Sequence, residues 1–412
     1  MSLAVLMTAA SLVAACGNST GASEAETGST GGATNESTAA AATSEPSSEE
    51  PIVFGFSIGQ TGFLQFYEVP LFEAAKIRID EINAAGGING RQIEVRVLDN
   101  GSDAAKSAAA AEKLIEEGAD VLFTTCDGDI GGPAARVAND QGVLAIGCAG
   151  SPLYGVTGIG PLVFNTDSGA NNEGAVMAQW AFDQGYRTAV SLADDIIAIT
   201  KDTCKFFGET FEKLGGTMVD EKSFNNADPS VASQVRAIQA ANPDVVALCS
   251  VPPGGASALK QIRAVSDVPV VSGIGMDGTF WTDGIPTDVL EGLHVQAYGA
   301  ISGDDPDPAR QAVLDKYKEA TGEAAQLSVV QLGYASVQMI ERAIAESGGT
   351  DGAQMAAVLN KFNQEDFVSG PMTYTDTCHI SSERPLVINQ FVDGQYLYET
   401  TVTPSYVPET IC

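Results

Sequence analysis

From Pro51 onward, short β-branched runs alternate with helical stretches, and that alternation confines the chain to a narrow set of folds. Ile52-Val53-Phe54, Ile93-Glu94-Val95-Arg96-Val97, residues 121–123 and residues 143–146 read as strands. Phe72, Ala75, Ile79 and Ile82 recur at three and four residues, which marks one apolar face of a helix starting near Glu68. That helix stops at Ala84-Ala85-Gly86-Gly87, where glycine permits a left-handed cap. A second series has strands at 189–193, Met218-Val219, 245–248 and 268–271, with helices over 201–214, 229–241 and 255–265. Helices are expected again at 308–321 and 329–347, then strands at 386–391 and 395–400 joined by the hairpin signal Asp393-Gly394. Strand–helix repetition in two series predicts an α/β chain with two lobes, each holding a parallel sheet flanked by helices.

In open parallel sheets, ligands sit beyond the carboxyl ends of the strands. The residues facing a common cleft are therefore expected at 59–67, 127–131 and 149–151 in lobe one, and at 194–200, 250–253 and 275–279 in lobe two. Gly131-Gly132-Pro133 reads as a loop leading into a helix, with proline at its first position.

The chain carries 53 acidic against 21 basic side chains over 412 residues, a net charge of −32. Such a charge repels phosphate, which argues against nucleic acid and a bare anionic lipid surface as partners. Two histidines, His294 and His379, leave little for a His-rich metal site, and no metal or cofactor is expected.

Residues 3–15 form an apolar run ending in Val13-Ala14-Ala15-Cys16. The run is too short for a bilayer span and suits a secretory signal. Small residues before a cysteine resemble a bacterial lipoprotein cleavage site, although no Lys or Arg precedes the run. That resemblance implies removal of residues 1–15, lipid on Cys16, and a place on the outer face of the cell membrane or in the periplasm. Residues 17–50, rich in Gly, Ser, Thr, Ala and Glu, read as a disordered acidic tether. Six further cysteines in an exported chain suggest disulfides, and the expected pairs are Cys126–Cys148, Cys204–Cys249 and Cys378–Cys412.

Several strings together resemble the type I periplasmic binding proteins of the leucine/isoleucine/valine and amide-binding group. They are Thr61-Gly62, the stretch Ile82-Asn83-Ala84-Ala85-Gly86-Gly87-Ile88-Asn89-Gly90-Arg91, Glu94-Val95-Arg96-Val97-Leu98-Asp99, Asn242-Pro243-Asp244-Val245-Val246, and Gly333-Tyr334-Ala335-Ser336-Val337. The resemblance implies two Rossmann-like lobes joined by a three-strand hinge, closing on a small solute that passes to an ABC permease. Lobe one would span 51–168 and 299–384, lobe two 169–298 and 385–400, with 401–412 a tail and the protein a monomer. The ligand contacts it implies are Tyr67, Asp127, Gly128, the Ala149 carbonyl and Ser151 in lobe one, and Thr200, Val251 and Asp277 in lobe two. Asp277 matches the acid that holds a ligand ammonium.

Two departures bear on the ligand. Asp127 stands where amino-acid binders place a serine for the ligand carboxylate, and an ionised aspartate there repels a carboxylate in a dry cleft. Thr200 and Val329 stand where tyrosines are common. A neutral amide, a cation or a polyhydroxy solute therefore fits as well as an α-amino acid.

Other signals in the chain fit less well. Gly55-Phe56-Ser57-Ile58-Gly59 has the pattern of a hydrolase nucleophile, with His379 downstream, but Ser57 falls inside a strand rather than at a sharp turn. Gly273-Ile274-Gly275-Met276-Asp277-Gly278 has dinucleotide spacing but a poor helix after it. Residues 99–103 and 127–131 lack the full spacing of a calcium loop. A lobe pair that senses a ligand for a receptor is a further alternative.

Overall fold

The computed structural model describes residues 50–151 and 154–409. The expected leader, Cys16, most of the tether and Cys412 lie outside the described residues.

The first lobe opens with β1 (Ile52–Ile58), α1 (Gln65–Ala84), β2 (Ile93–Asp99), α2 (Ala104–Glu116), β3 (Val121–Thr124), α3 (Gly128–Asp140), β4 (Leu144–Gly147) and β5 (Val163–Asn165). Its strands form a parallel sheet in the order β2-β1-β3-β4-β5. Strand β1 is buried at every residue, as a central strand must be when helices cover both faces. Ile52, Phe54, Phe56 and Ile58 pack with Phe72, Ala75, Ile79 and Ile82 of α1. Val53 packs on the other side with Ala111 and Leu114 of α2.

The string that ends α1 has a local physical reason. Ile82 is buried in the core. The Asn83 side chain accepts from Ile93 N at 2.7 Å and donates to its carbonyl at 2.9 Å, fixing where β2 begins. Gly87 has φ +83°, and a Cβ there would lie 1.9 Å from the Arg91 carbonyl oxygen, so only glycine fits.

The second lobe holds α4 (Ala170–Asp183), β6 (Thr188–Asp194), α5 (Ala198–Lys213), β7 (Thr217–Phe224), α6 (Ala232–Ala241), β8 (Val245–Cys249), α7 (Gly254–Arg263), β9 (Val270–Ser272), α8 (Thr287–Leu290) and β10 (Leu293–Ala297). Its parallel strands run β7-β6-β8-β9-β10, the same order as in the first lobe. The chain then returns to the first lobe with α9 (Pro308–Thr321), α10 (Val330–Ser347) and α11 (Gly352–Leu359). Val337, Ile340, Ile344, Met355 and Leu359 join the β1 core. A short pair, β11 (Glu365–Phe367) and β12 (Gly370–Met372), follows. Finally β13 (Leu386–Val392) and β14 (Gln395–Val402) complete the second sheet.

Some expectations need correction. The second sheet is mixed, because β13 runs antiparallel to both β10 and β14. Asp393 and Gly394 both have positive φ, which is the two-residue turn of a tight hairpin, and a hairpin can only reverse the strand. Strand β14 reaches Val402, past the expected end at 400. Pro133 lies inside α3 rather than at its start, because Asp127 caps the helix earlier. Helix α4 was not anticipated: ten of its first eleven residues are buried, so it shows no apolar stripe against a polar face.

The chain crosses between lobes three times, at the segments around Thr166, Tyr298 and Arg384. Arg384 is fully buried and donates to the Thr166 carbonyl at 2.7 Å, while Ser168 N donates to the Tyr298 hydroxyl at 3.1 Å. Among the described residues, no helix is long and apolar enough to cross a membrane.

Candidate functional site

In a sheet of order 2-1-3-4-5, the topological switch lies between strands 1 and 3, where successive connections leave on opposite faces and open a crevice. Both lobes obey this rule, and their crevices meet. Leu64, Tyr67 and Glu68 follow β1, and Cys126 and Asp127 follow β3. Ile197, Ile199 and Thr200 follow β6, Cys249 ends β8, and Ser250 and Val251 follow it. All of these line one cavity of about 80 Å³. Leu71 of α1, Leu332 of α10 and Ile274 complete an aliphatic wall.

Two disulfides brace that wall. Cys126–Cys148 ties the ends of β3 and β4, and Cys204–Cys249 ties α5 to the end of β8. Cys378 is also disulfide-bonded, while its expected partner Cys412 is outside the described residues.

The charged part of the wall is acidic. Glu68, Asp127, Asp167 and Glu173 line the cavity, and among the described residues no Lys, Arg or His does. Glu68 is 1% exposed and its Oε1 accepts from Cys126 N at 2.7 Å; Gly59 N and the Thr125 hydroxyl also bear on its carboxyl, and its Oε2 makes no hydrogen bond of normal geometry among the described residues. Burial, reinforced by the Asp127 charge, pushes its carboxyl up to about 8. Asp127 Oδ1 accepts from Asp129 N at 3.0 Å and Ile130 N at 2.9 Å, the N-cap of α3. Burial raises the Asp127 carboxyl too. Asp167 is pushed up to about 6 by burial, opposed by hydrogen bonding to Gly169 N and by the Arg384 charge. Glu173 is raised by burial and by Asp167.

Four of the eight expected contacts line the cavity: Tyr67, Asp127, Thr200 and Val251. Tyr67 spans the lobes, its hydroxyl donating to the Gly275 carbonyl at 2.7 Å. Thr200 spends its hydroxyl proton within its own helix start, on the Asp194 and Ile197 carbonyls. The other four do not line it. The Ala149 carbonyl accepts from the Asn165 side chain. Gly128 and Ser151 abut each other and border a separate groove on the α3 side. Asp277 turns away from the cavity: its Oδ2 accepts from Ser328 N at 2.6 Å and its Oδ1 from the Tyr396 hydroxyl at 2.8 Å, so its charge serves the fold.

Glu68, Asp167 and Glu173 were missed. Glu68 carried a readable signal, an acid four residues before the buried Phe72 on the apolar face of α1. Asp167 and Glu173 lie at a crossover and on the unanticipated α4.

The rival motifs sit in other settings. Ser57 is buried in β1 and donates to the Ser107 carbonyl at 3.1 Å, whereas His379 stacks on Phe164 and bonds the Val163 carbonyl. The glycine string at 273–278 forms a single 3-10 turn, Ile274–Met276, and offers no helix to a pyrophosphate.

The fold is shared with known proteins. The Leu/Ile/Val-binding protein BraC3 of Rhizobium johnstonii is 24% identical over 82% of this chain and 91% of its own. The Leu/Ile/Val-binding protein of Escherichia coli is 22% identical over 74% and 81%. Among solved structures, LivJ, the branched-chain amino acid transporter substrate-binding protein of Streptococcus pneumoniae, superposes with a TM-score of 0.76 at 21% identity, over 86% of this chain and all of its own. A solute-binding protein of Rhodopseudomonas palustris in complex with benzoate gives 0.73 at 18% identity, over 88% and 99%. Residues 51–395 match the family model described as periplasmic binding protein, and the chain therefore belongs to the periplasmic binding protein family.

Proposed function

We propose that this protein is the extracytoplasmic solute-binding component of an ABC importer. It captures a small solute between its two lobes and hands it on unaltered. The observation that carries the reading is the cavity itself, lined by the residues after β1, β3, β6 and β8 of two like-ordered sheets. Binding energy is then spent on holding the lobes together, and the permease would recognise the closed form. The relatives named for Leu, Ile and Val binding support a solute of that size with a branched aliphatic part, which suits the Leu, Ile and Val side chains of the wall.

In this reading residues 51–168 with 299–384 and residues 169–298 with 385–400 move as two bodies, the protein acts as a monomer, and lipid on Cys16 holds it at the membrane. The test is native mass spectrometry of protein purified without added solute, followed by small-angle scattering after the solute is removed and restored. A retained molecule released unchanged, with a smaller radius of gyration in its presence, is the expected result. Chemical conversion of that molecule, or an unchanged radius, overturns the reading.

A further inference from the structure

The cavity wall carries information about the charge of the solute. We propose, resting on the solute-binding reading above, that the solute is an aliphatic ammonium compound without a carboxylate, its nitrogen held by Glu68 and Asp127 and its hydrocarbon part by the wall of Leu71, Ile199, Ile274 and Leu332.

Three observations carry this. First, among the described residues the wall holds four carboxyl groups and no basic side chain. Arg384 is the nearby cation, but it faces the Asp167–Glu173 side, and its guanidinium is occupied with the Thr166 and Ser369 carbonyls. Glu68 and Asp127 have no such counter-charge. Second, Glu68 Oε2 is buried and makes no hydrogen bond of normal geometry among the described residues. An ammonium proton would satisfy that oxygen, the carboxyl giving up the proton that burial holds on it in the empty cavity. Third, the backbone N–H groups at the start of α3 would serve an anionic ligand well, but Asp127 Oδ1 already takes those of Asp129 and Ile130. The chain supplies its own carboxylate at the place where a ligand carboxylate would dock, and like charges exclude a second one.

The experiment compares matched solutes on the full-length protein freed of retained solute, by calorimetry at neutral pH. Leucine and leucinamide share the ammonium group and side chain and differ in the carboxylate; 3-methylbutylamine lacks the carbonyl group as well. Leucinamide and 3-methylbutylamine are expected to bind, with leucine weaker by about tenfold or more. Asp127→Asn keeps a helix cap while removing charge, and Glu68→Gln removes the second acid. Each is expected to weaken leucinamide by about tenfold to a hundredfold, with the cooperative unfolding transition retained. Leucine binding as tightly as leucinamide, or neither amine binding, overturns the proposal. Both results leave the solute-binding reading to be judged by the molecule retained in native mass spectrometry. Unchanged leucinamide affinity in Asp127→Asn also overturns it.

Discussion

The Arg384 guanidinium lies 5.3 Å over the ring of Tyr298, joining two of the three segments that pass between the lobes. The same guanidinium donates to the carbonyl of Thr166 on the third. One buried cation therefore ties all three crossings, beside the acidic pair Asp167 and Glu173. Replacing it should cost more than its hydrogen bonds, because two buried carboxyls would lose the charge that offsets them. Arg384→Leu is expected to destabilise the protein by about 3–5 kcal/mol, read from the urea midpoint. A loss below about 1 kcal/mol would contradict the arrangement.

Acid stability should run in an unusual direction. Glu68 rises from 4.5 to about 8 on folding, and Asp167 and Asp277 rise from 3.8 to about 6, each mainly through burial. Between the unfolded and folded values the native state binds more protons, so stability falls as pH rises. Their contribution is fully present below about pH 4 and is lost as pH climbs through 6 and then 8. Solute-free protein should melt at a lower temperature at pH 8 than at pH 5.5. Glu68→Gln should flatten part of that slope above pH 6, since Glu68, facing Asp127 and the Tyr154 hydroxyl, is with Glu173 a carboxyl that burial raises far above its ordinary value.

The hydrogen bond from Tyr67 to Gly275 joins α1 to the loop after β9 and exists only while the lobes are together. Tyr67→Phe removes it and little else, leaving the ring against Phe280 at 5.3 Å. Solute affinity should fall by about 0.5–1.5 kcal/mol, with the thermal midpoint of solute-free protein nearly unchanged. Calorimetry with the retained solute checks the first part and differential scanning fluorimetry the second.

Gly333 of α10 sets how closely that helix approaches α1. A Cβ there would lie 2.0 Å from the Leu71 carbonyl oxygen, a backbone atom that cannot swing aside. Gly333→Ala should cost about 1–3 kcal/mol through overpacking. It should also weaken solute binding, because Leu71 and Leu332 both line the cavity. Normal stability in this variant would show that the two helices can separate freely.

Reducing the cavity disulfides should loosen the wall as well as the fold. The residues they join lie 22 and 45 positions apart. Chain entropy assigns stabilisations of about 3 and about 4 kcal/mol to loops of those lengths. Paired serine substitutions at Cys204 and Cys249 should lower the urea midpoint more than those at Cys126 and Cys148. Thiol titration of native protein should find those four cysteines unreactive until reductant is added.

Much of this was legible without coordinates. Helix α9 falls where its pattern put it, Pro308–Thr321, because proline and glycine mark its ends and one face is apolar. The apolar residues of α1 and the Asp393-Gly394 turn were equally plain, since period and turn chemistry are local properties. The loops after β1, β3, β6 and β8 were found by the same logic. Side-chain roles within those loops were not. Asp277 and Glu68 are both acids near strand ends, and only the fold brings Ser328 N and Tyr396 to one while leaving the other open on one side.

The sequence alone determined two α/β series, the strand ends that form a crevice, and the cysteines that would flank it, because these follow from short-range periodicity and from where parallel strands end. Tertiary structure alone decided which carboxyls face the cavity and that Arg384 neutralises one pair and not the other. Those outcomes depend on groups far apart in the chain, 58 residues for Glu68 and Cys126 and 218 for Thr166 and Arg384, meeting in a buried place, where electrostatics is strong and no local pattern records it.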